Sequence, residues 1–103
     1  MTRTTQSAKA EQDELDLLAA ARAGDEQAFG RLASQHREEL HLYCRLMLGC
    51  PRDADRAVCE TLLRGWRGLP GASAPASARI WLYRLATDVC LEGIERRERL
   101  QHH

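Results

Sequence analysis

Apolar residues recur every three to four positions through most of this chain, and nowhere do they alternate every second position. A spacing of three to four lines one face of an α-helix, whereas alternation would mark a strand. The longest stripe is Ala28, Phe29, Leu32, Ala33, His36, Leu40, Tyr43, Cys44, Met47 and Leu48. It predicts a long amphipathic helix, opened by Asp25 at the N-cap and closed by Gly49 and Pro51. A shorter stripe, Leu15, Leu18 and Ala19, predicts a preceding helix that ends at Gly24. A third stripe, Ala54, Val58, Leu62, Trp66 and Leu69, predicts a helix capped by Asp53. A fourth, Ala78, Trp81, Leu82, Leu85, Val89, Cys90 and Ile94, starts near Ser77 or Ala78. The chain therefore reads as all-α, a compact bundle of three to four helices.

The punctuation between stripes sets the domain limits. Gly68 to Ser77, GLPGASAPAS, holds two prolines and two glycines and reads as the one low-complexity loop. Residues 1–10 are polar and without a period, and a disordered tail is drawn to residue 13. Residues 14–97 form the helical domain. The charged stretch Arg96 to Leu100 is expected to fray, and 98–103, ending in His102 and His103, reads as a frayed end, linker or tag remnant.

Composition narrows the chemistry. A chain of 103 residues fits one domain with a modest core. Fifteen Lys+Arg offset fifteen Asp+Glu. Zero net charge argues against a protein that grips duplex DNA alone, because phosphate neutralisation drives such binding. Every one of those cations except Lys9 is arginine. Apolar residues at 44% and charged residues at 29% are ordinary for a soluble protein. No apolar run approaches the ~18 residues that span a bilayer. The N-terminal stretch lacks the apolar core of a secretory signal, so a cytoplasmic protein with reduced thiols is expected.

Catalytic and metal signatures are missing. Cys44, Cys50, Cys59 and Cys90 form no CxxC pair, and His41, Cys44 and Cys50 lack the paired spacing of zinc sites. Cys44 and Cys90 read as small buried apolar side chains. No GxSxG, P-loop, HExxH or GxGxxG occurs. The acidic run Glu11–Asp16 is a solvated helix start. His36 reads as a partly buried structural histidine, and His41, five positions on, falls on another face. An enzyme, a cofactor and a metal are all unexpected.

Three blocks then carry a resemblance: AGDEQAFGRLASQHREELHLYCRLMLG from Ala23 to Gly49, DADRAVCETLLRGWRGL from Asp53 to Leu69, and SARIWLYRLATDVCLEGIERR from Ser77 to Arg97. In this order and with these gaps they resemble region two of bacterial extracytoplasmic-function sigma factors, of the sigma-70 family, over roughly residues 14–97. The resemblance implies a subunit that docks on the clamp helices of the largest subunit of core RNA polymerase. It also implies capture of the −10 promoter element as single-stranded DNA, with the loop Gly71–Ser77 reading a base.

The family's docking helix reads like DAEDxxQExFLRxW. Asp53, Asp55, Glu60, Leu63, Arg64 and Trp66 fit that pattern, whereas Arg56 replaces an acid, Cys59 a glutamine and Leu62 an aromatic. The resemblance implies polymerase contacts at Asp55, Arg56, Cys59, Glu60, Leu63 and Arg64. Glu60 and Arg64, at i and i+4, also fit a plain surface ion pair. Trp66 sits on the apolar stripe and reads as core. The implied DNA-binding set is Ser77, Arg79, Tyr83, Arg84, Thr87, Asp88, Arg96 and Arg97. Ala78 stands where the family has an aromatic, and Asp88 where it favours asparagine. Tyr83 falls off the apolar stripe, placed either to stack on a base or to pack. No segment resembles region four, the family's −35 reader. Two alternatives stay open. One is a sigma-like interaction module that binds an anti-sigma factor or another regulator without promoter recognition. The other is a thiol sensor at Cys59, activated by Arg56 three residues earlier.

Overall fold

The computed structural model describes residues 2–71 and 77–101, with side chains from Ala8 onward. Most of the loop Gly71–Ser77 and both terminal histidines thus lie outside the described residues. Among those described, the order is α1 (Thr2–Arg22), α2 (Glu26–Leu48), α3 (Pro51–Gly68), a short 3-10 turn (Leu69–Gly71) and α4 (Ala78–Gln101), with no strand.

Helix α1 runs through the stretch that the sequence assigns to a tail. Ala8, Lys9, Ala10, Glu11 and Gln12 are strong helix formers, and no glycine or proline interrupts them. Once its last turns are packed, the helix propagates outward at little cost. Its buried residues are Leu18 and Ala21, while Leu15 is 41% exposed. The apolar stripe therefore lies one position round from Leu15 and Ala19. Gly24, at φ 104°, turns the chain. Asp25 then caps α2, its carboxylate accepting from Gln27 N at 3.0 Å and Ala28 N at 3.2 Å.

Helix α2 buries Ala28, Leu32, His36, Leu40, Cys44 and Leu48, the stripe read from the sequence. It ends at Gly49 in the left-handed region, whose N–H returns to Arg45 O. Helix α3 starts at Pro51, so Asp53 lies in the first turn and is not its cap. Proline suits the first helical position because its missing N–H would have had no partner there. The buried line of α3 is Ala54, Ala57, Val58, Thr61 and Gly65; Leu62 and Trp66 flank it half-buried. Thr61 satisfies its hydroxyl on Ala57 O at 2.7 Å. A Cβ on Gly65 would meet Trp81 at 3.3 Å and Leu85 at 3.5 Å, so glycine here lets α4 approach closely.

Leu69 is fully buried and carries the chain off α3. Ser77 Oγ accepts from Ile80 N and opens α4. That helix buries Ala78, Leu82, Ala86, Val89 and Cys90 and continues to Gln101, past the stretch expected to fray. Arg97 helps to hold it. Its guanidinium donates to Leu48 O, an orphan carbonyl in the last turn of α2, at 3.0 Å and to Asp53 at 2.7 Å. The core has two parts. One gathers Leu40, Cys44, Val58, Leu82 and Cys90 from α2, α3 and α4. The other gathers Leu18, Ala21, Leu32, Leu69 and Ala78, which seats α1.

Candidate functional site

The outward side of α3 carries the sequence-derived docking residues. Asp55, Arg56 and Cys59 are exposed, Glu60 and Arg64 are half-buried, and Leu63 is 41% exposed. All but Leu63 divide between two grooves. Arg56, Glu60 and Arg64 line one against α4, with Glu92, Arg96 and Arg97. Asp55 and Cys59 line another of about 820 Å³ against α2, with Arg37, His41, Leu42 and Arg45.

Arg64 is fixed on both sides. It donates to Glu60 at 3.0 Å and to Glu92, across the groove on α4, at 2.6 Å. The Glu92 hydrogen bond, more than Glu60, raises the guanidinium pKa further. The same bond to Arg64 holds Glu92 below the usual carboxylate range. The pair seen in the sequence is thus one arm of a triad. Its second acid, 28 residues away in the chain, carries no local sequence signal.

The N-terminal turns of α4 form a shallow groove of about 620 Å³ lined by Arg79, Ile80, Tyr83, Arg84, Thr87 and Asp88. Five of the sequence-derived DNA residues therefore meet. Ser77 sits beside them as the helix cap. Arg96 and Arg97 do not join them: Arg97 is 18 residues beyond Arg79, about 27 Å along the helix, and both line the α3/α4 groove.

Tyr83 packs. Its ring meets Tyr43 edge-on at 5.0 Å, and the Arg79 guanidinium lies 5.6 Å from its centroid. The Tyr43 and Thr87 hydroxyls are hydrogen-bonded at 2.6 Å, and Thr87 also donates to Tyr83 O. Tyr83 is thus packed on one side by Tyr43 while it still lines the α4 groove. Trp66 likewise packs on Phe29, with centroids 5.3 Å apart.

Sequence reasoning missed several neighbours. Glu39 on α2 pairs with Arg79 at 3.0 Å and accepts from the Tyr83 hydroxyl at 3.2 Å. Ile80, 57% exposed, is an apolar wall of the α4 groove. Leu42 and Leu46 are 58% and 77% exposed on α2. Two leucines at i and i+4 on the polar side of a helix were the available signal.

The two described histidines face different helices. His36 is buried against Glu14 of α1, and His41 pairs with Asp55 of α3 at 2.8 Å. Cys44 and Cys90 are buried, Cys50 is intermediate and Cys59 is exposed. Burial first, and then the Cys90 thiol, pushes Cys44 up to about 12. Among the described residues no cluster of three or more His, Cys, Asp and Glu is arranged to hold a metal ion, and no helix is long and apolar enough to cross a membrane.

Comparison with known proteins gives this architecture its relatives. The chain matches the family described as Sigma-70 region 2 over residues 32–100. It is 41% identical over 78 residues to the ECF RNA polymerase sigma factor SigG of Mycobacterium tuberculosis, covering 76% of this chain and 20% of SigG. It is 35% identical over 86 residues to SigM of the same species, covering 84% of this chain and 44% of SigM. Against SigW of Bacillus subtilis it is 24% identical over 75 residues, covering 73% and 40%. The chain thus spans less than half the length of these curated relatives. No solved structure matches it at a significant level.

Proposed function

Because the chain belongs to the Sigma-70 region 2 family, we propose that it is the polymerase-docking and promoter-reading part of an extracytoplasmic-function sigma factor. In this reading α3 docks on the clamp helices of the largest subunit of core RNA polymerase. The first turns of α4 then hold the −10 element as a single strand. The protein starts transcription in the cytoplasm and catalyses no reaction itself.

The observation that carries the reading is the presence of two distinct exposed faces on one shared core. On α3, Cys59 and Leu63 give an apolar centre, and Asp55, Arg56, Glu60 and Arg64 give a charged surround. That is the composition of a protein–protein contact, with a dry middle and a polar rim. Arg64, already oriented by Glu60 and Glu92, loses little side-chain freedom on docking.

On α4, Arg84 is exposed with no ion-pair partner among the described residues, beside apolar Ile80 and acceptor-only Asp88. A free cation suits a phosphate, and a carboxylate suits a base that offers an amino group. Neutral net charge fits a subunit whose affinity comes from polymerase and whose selectivity comes from this groove.

The test is selection from a random single-stranded oligonucleotide pool, using core polymerase with and without the chain. An enriched motif that needs the chain, and that Arg84→Ala weakens, is the expected result. Polymerase binding without any enrichment would contradict promoter reading and favour an interaction module that answers to an anti-sigma factor.

A further inference from the structure

The carboxylate of Glu39 sits where two donors of α4 converge. Arg79 Nη2 reaches its Oε2 at 3.0 Å, and the Tyr83 hydroxyl donates to the same oxygen at 3.2 Å. Both donors are held in place. The Tyr83 ring is packed on Tyr43, and the Arg79 guanidinium lies over the Tyr83 ring. A guanidinium and a phenolic hydroxyl aimed at one anionic oxygen is the donor set that a phosphodiester accepts. Here an anion of the chain itself occupies that set.

The occupant is also easy to displace. Arg79 and Glu39 are both substantially exposed, and exposed pairs are weak and screened by salt. The seat opens onto the α4 groove, where Arg84 adds a cation with no ion-pair partner among the described residues. An arriving phosphate can therefore exchange with the carboxylate, which returns to water.

We propose that Arg79 and Tyr83 form a seat for one backbone phosphate of a single-stranded nucleic acid, and that Glu39 fills it as an internal stand-in until the strand arrives. The assignment of the phosphate to a strand rests on the promoter-reading function above; the seat itself does not. Glu39 then sets the affinity of the groove. It suppresses strand binding by the free chain and yields once polymerase raises the local strand concentration.

The experiment compares the full chain with Glu39→Gln, Arg79→Ala and the double variant. Inorganic phosphate is titrated while the Arg79 side-chain N–H and Tyr83 ring signals are followed by NMR. A labelled single-stranded oligonucleotide is titrated in parallel by fluorescence anisotropy over a series of salt concentrations. Glu39→Gln should tighten both ligands about two- to five-fold, the equivalent of one exposed ion pair. The oligonucleotide salt slope should steepen by about 0.7, the value of one added phosphate contact on a single strand. Arg79→Ala in the Glu39→Gln background should abolish the gain. Glu39 is exposed on α2, so the variant keeps the core, and circular dichroism verifies this. Unchanged or weaker phosphate binding by Glu39→Gln would overturn the seat. Tighter phosphate with no gain for the oligonucleotide would overturn the strand assignment, leaving the polymerase-docking reading to its own test.

Discussion

Arg64 of α3 is tied to Glu92 of α4 by a 2.6 Å ion pair that closes one side of the candidate docking face. Because Glu60 holds the other side at 3.0 Å, the guanidinium is orientated before any partner arrives. Glu92 titrates below the ordinary carboxylate range because of this bond. A depressed pKa contributes stability above the unfolded value of about 4.3, and that contribution is lost as pH falls through the folded value. Glu92→Gln should therefore lower the Tm slightly near neutrality. The difference from the parent should vanish in acid. Thermal unfolding across pH checks this, and a constant difference at all pH values would speak against the pair.

The thiols should divide by burial. With an aromatic disulfide reagent, Cys59 should react first and Cys50 more slowly, while Cys44 and Cys90 should wait for unfolding. Cys44 also makes the fold sensitive to alkali. Its thiol moves from an ordinary 9.0 to about 12 on folding. Between those values the folded chain keeps a proton that the unfolded chain loses, so stability falls as pH rises. Urea unfolding of the parent and Cys44→Ala across that range measures the effect.

Leu18 and Leu15 separate the two placements of the α1 stripe. Leu18 is 3% exposed and Leu15 41%. Leu18→Ala should cost about 2–5 kcal/mol, whereas Leu15→Ala should stay within about 0.5 kcal/mol of the parent. Equal costs would return the stripe to its sequence-based register.

Gly65 tests the close approach of α3 and α4. A Cβ added there would stand 3.3 Å from the Trp81 ring. A full side chain should overpack the contact, so Gly65→Leu should cost about 1–3 kcal/mol or more by urea denaturation.

These predictions follow the boundary between what local pattern reveals and what tertiary packing decides. Helix α2 was legible from end to end because its large apolar residues keep one register between an Asp25 cap and a Gly49 stop. Helix α3 was misregistered because its buried line is built from Ala57, Thr61 and Gly65, small residues that hydrophobic spacing undervalues. Its start moved because Pro51 outranked Asp53 as a boundary signal. Of the candidate sites, the exposed face of α3 and five residues of the α4 groove came from the resemblance of their sequence blocks to the family, and the structure brings those five together. Glu39 and Glu92 were not legible, since each meets its partner across a helix crossing and nothing local marks them. The place of Arg97, apart from the α4 groove, was hidden for a similar reason: its partners, Leu48 O and Asp53, belong to other helices.

The outward face of α3 is proposed above as a polymerase-docking surface. A binding titration against core RNA polymerase tests it most directly, comparing the parent with Leu63→Ala, Leu63→Ala/Arg64→Ala and the fold control Leu15→Ala. The account predicts saturable binding that Leu63→Ala weakens, that the double change weakens further and that Leu15→Ala leaves intact. Absence of binding at micromolar concentrations, or equal binding by all four proteins, would contradict it.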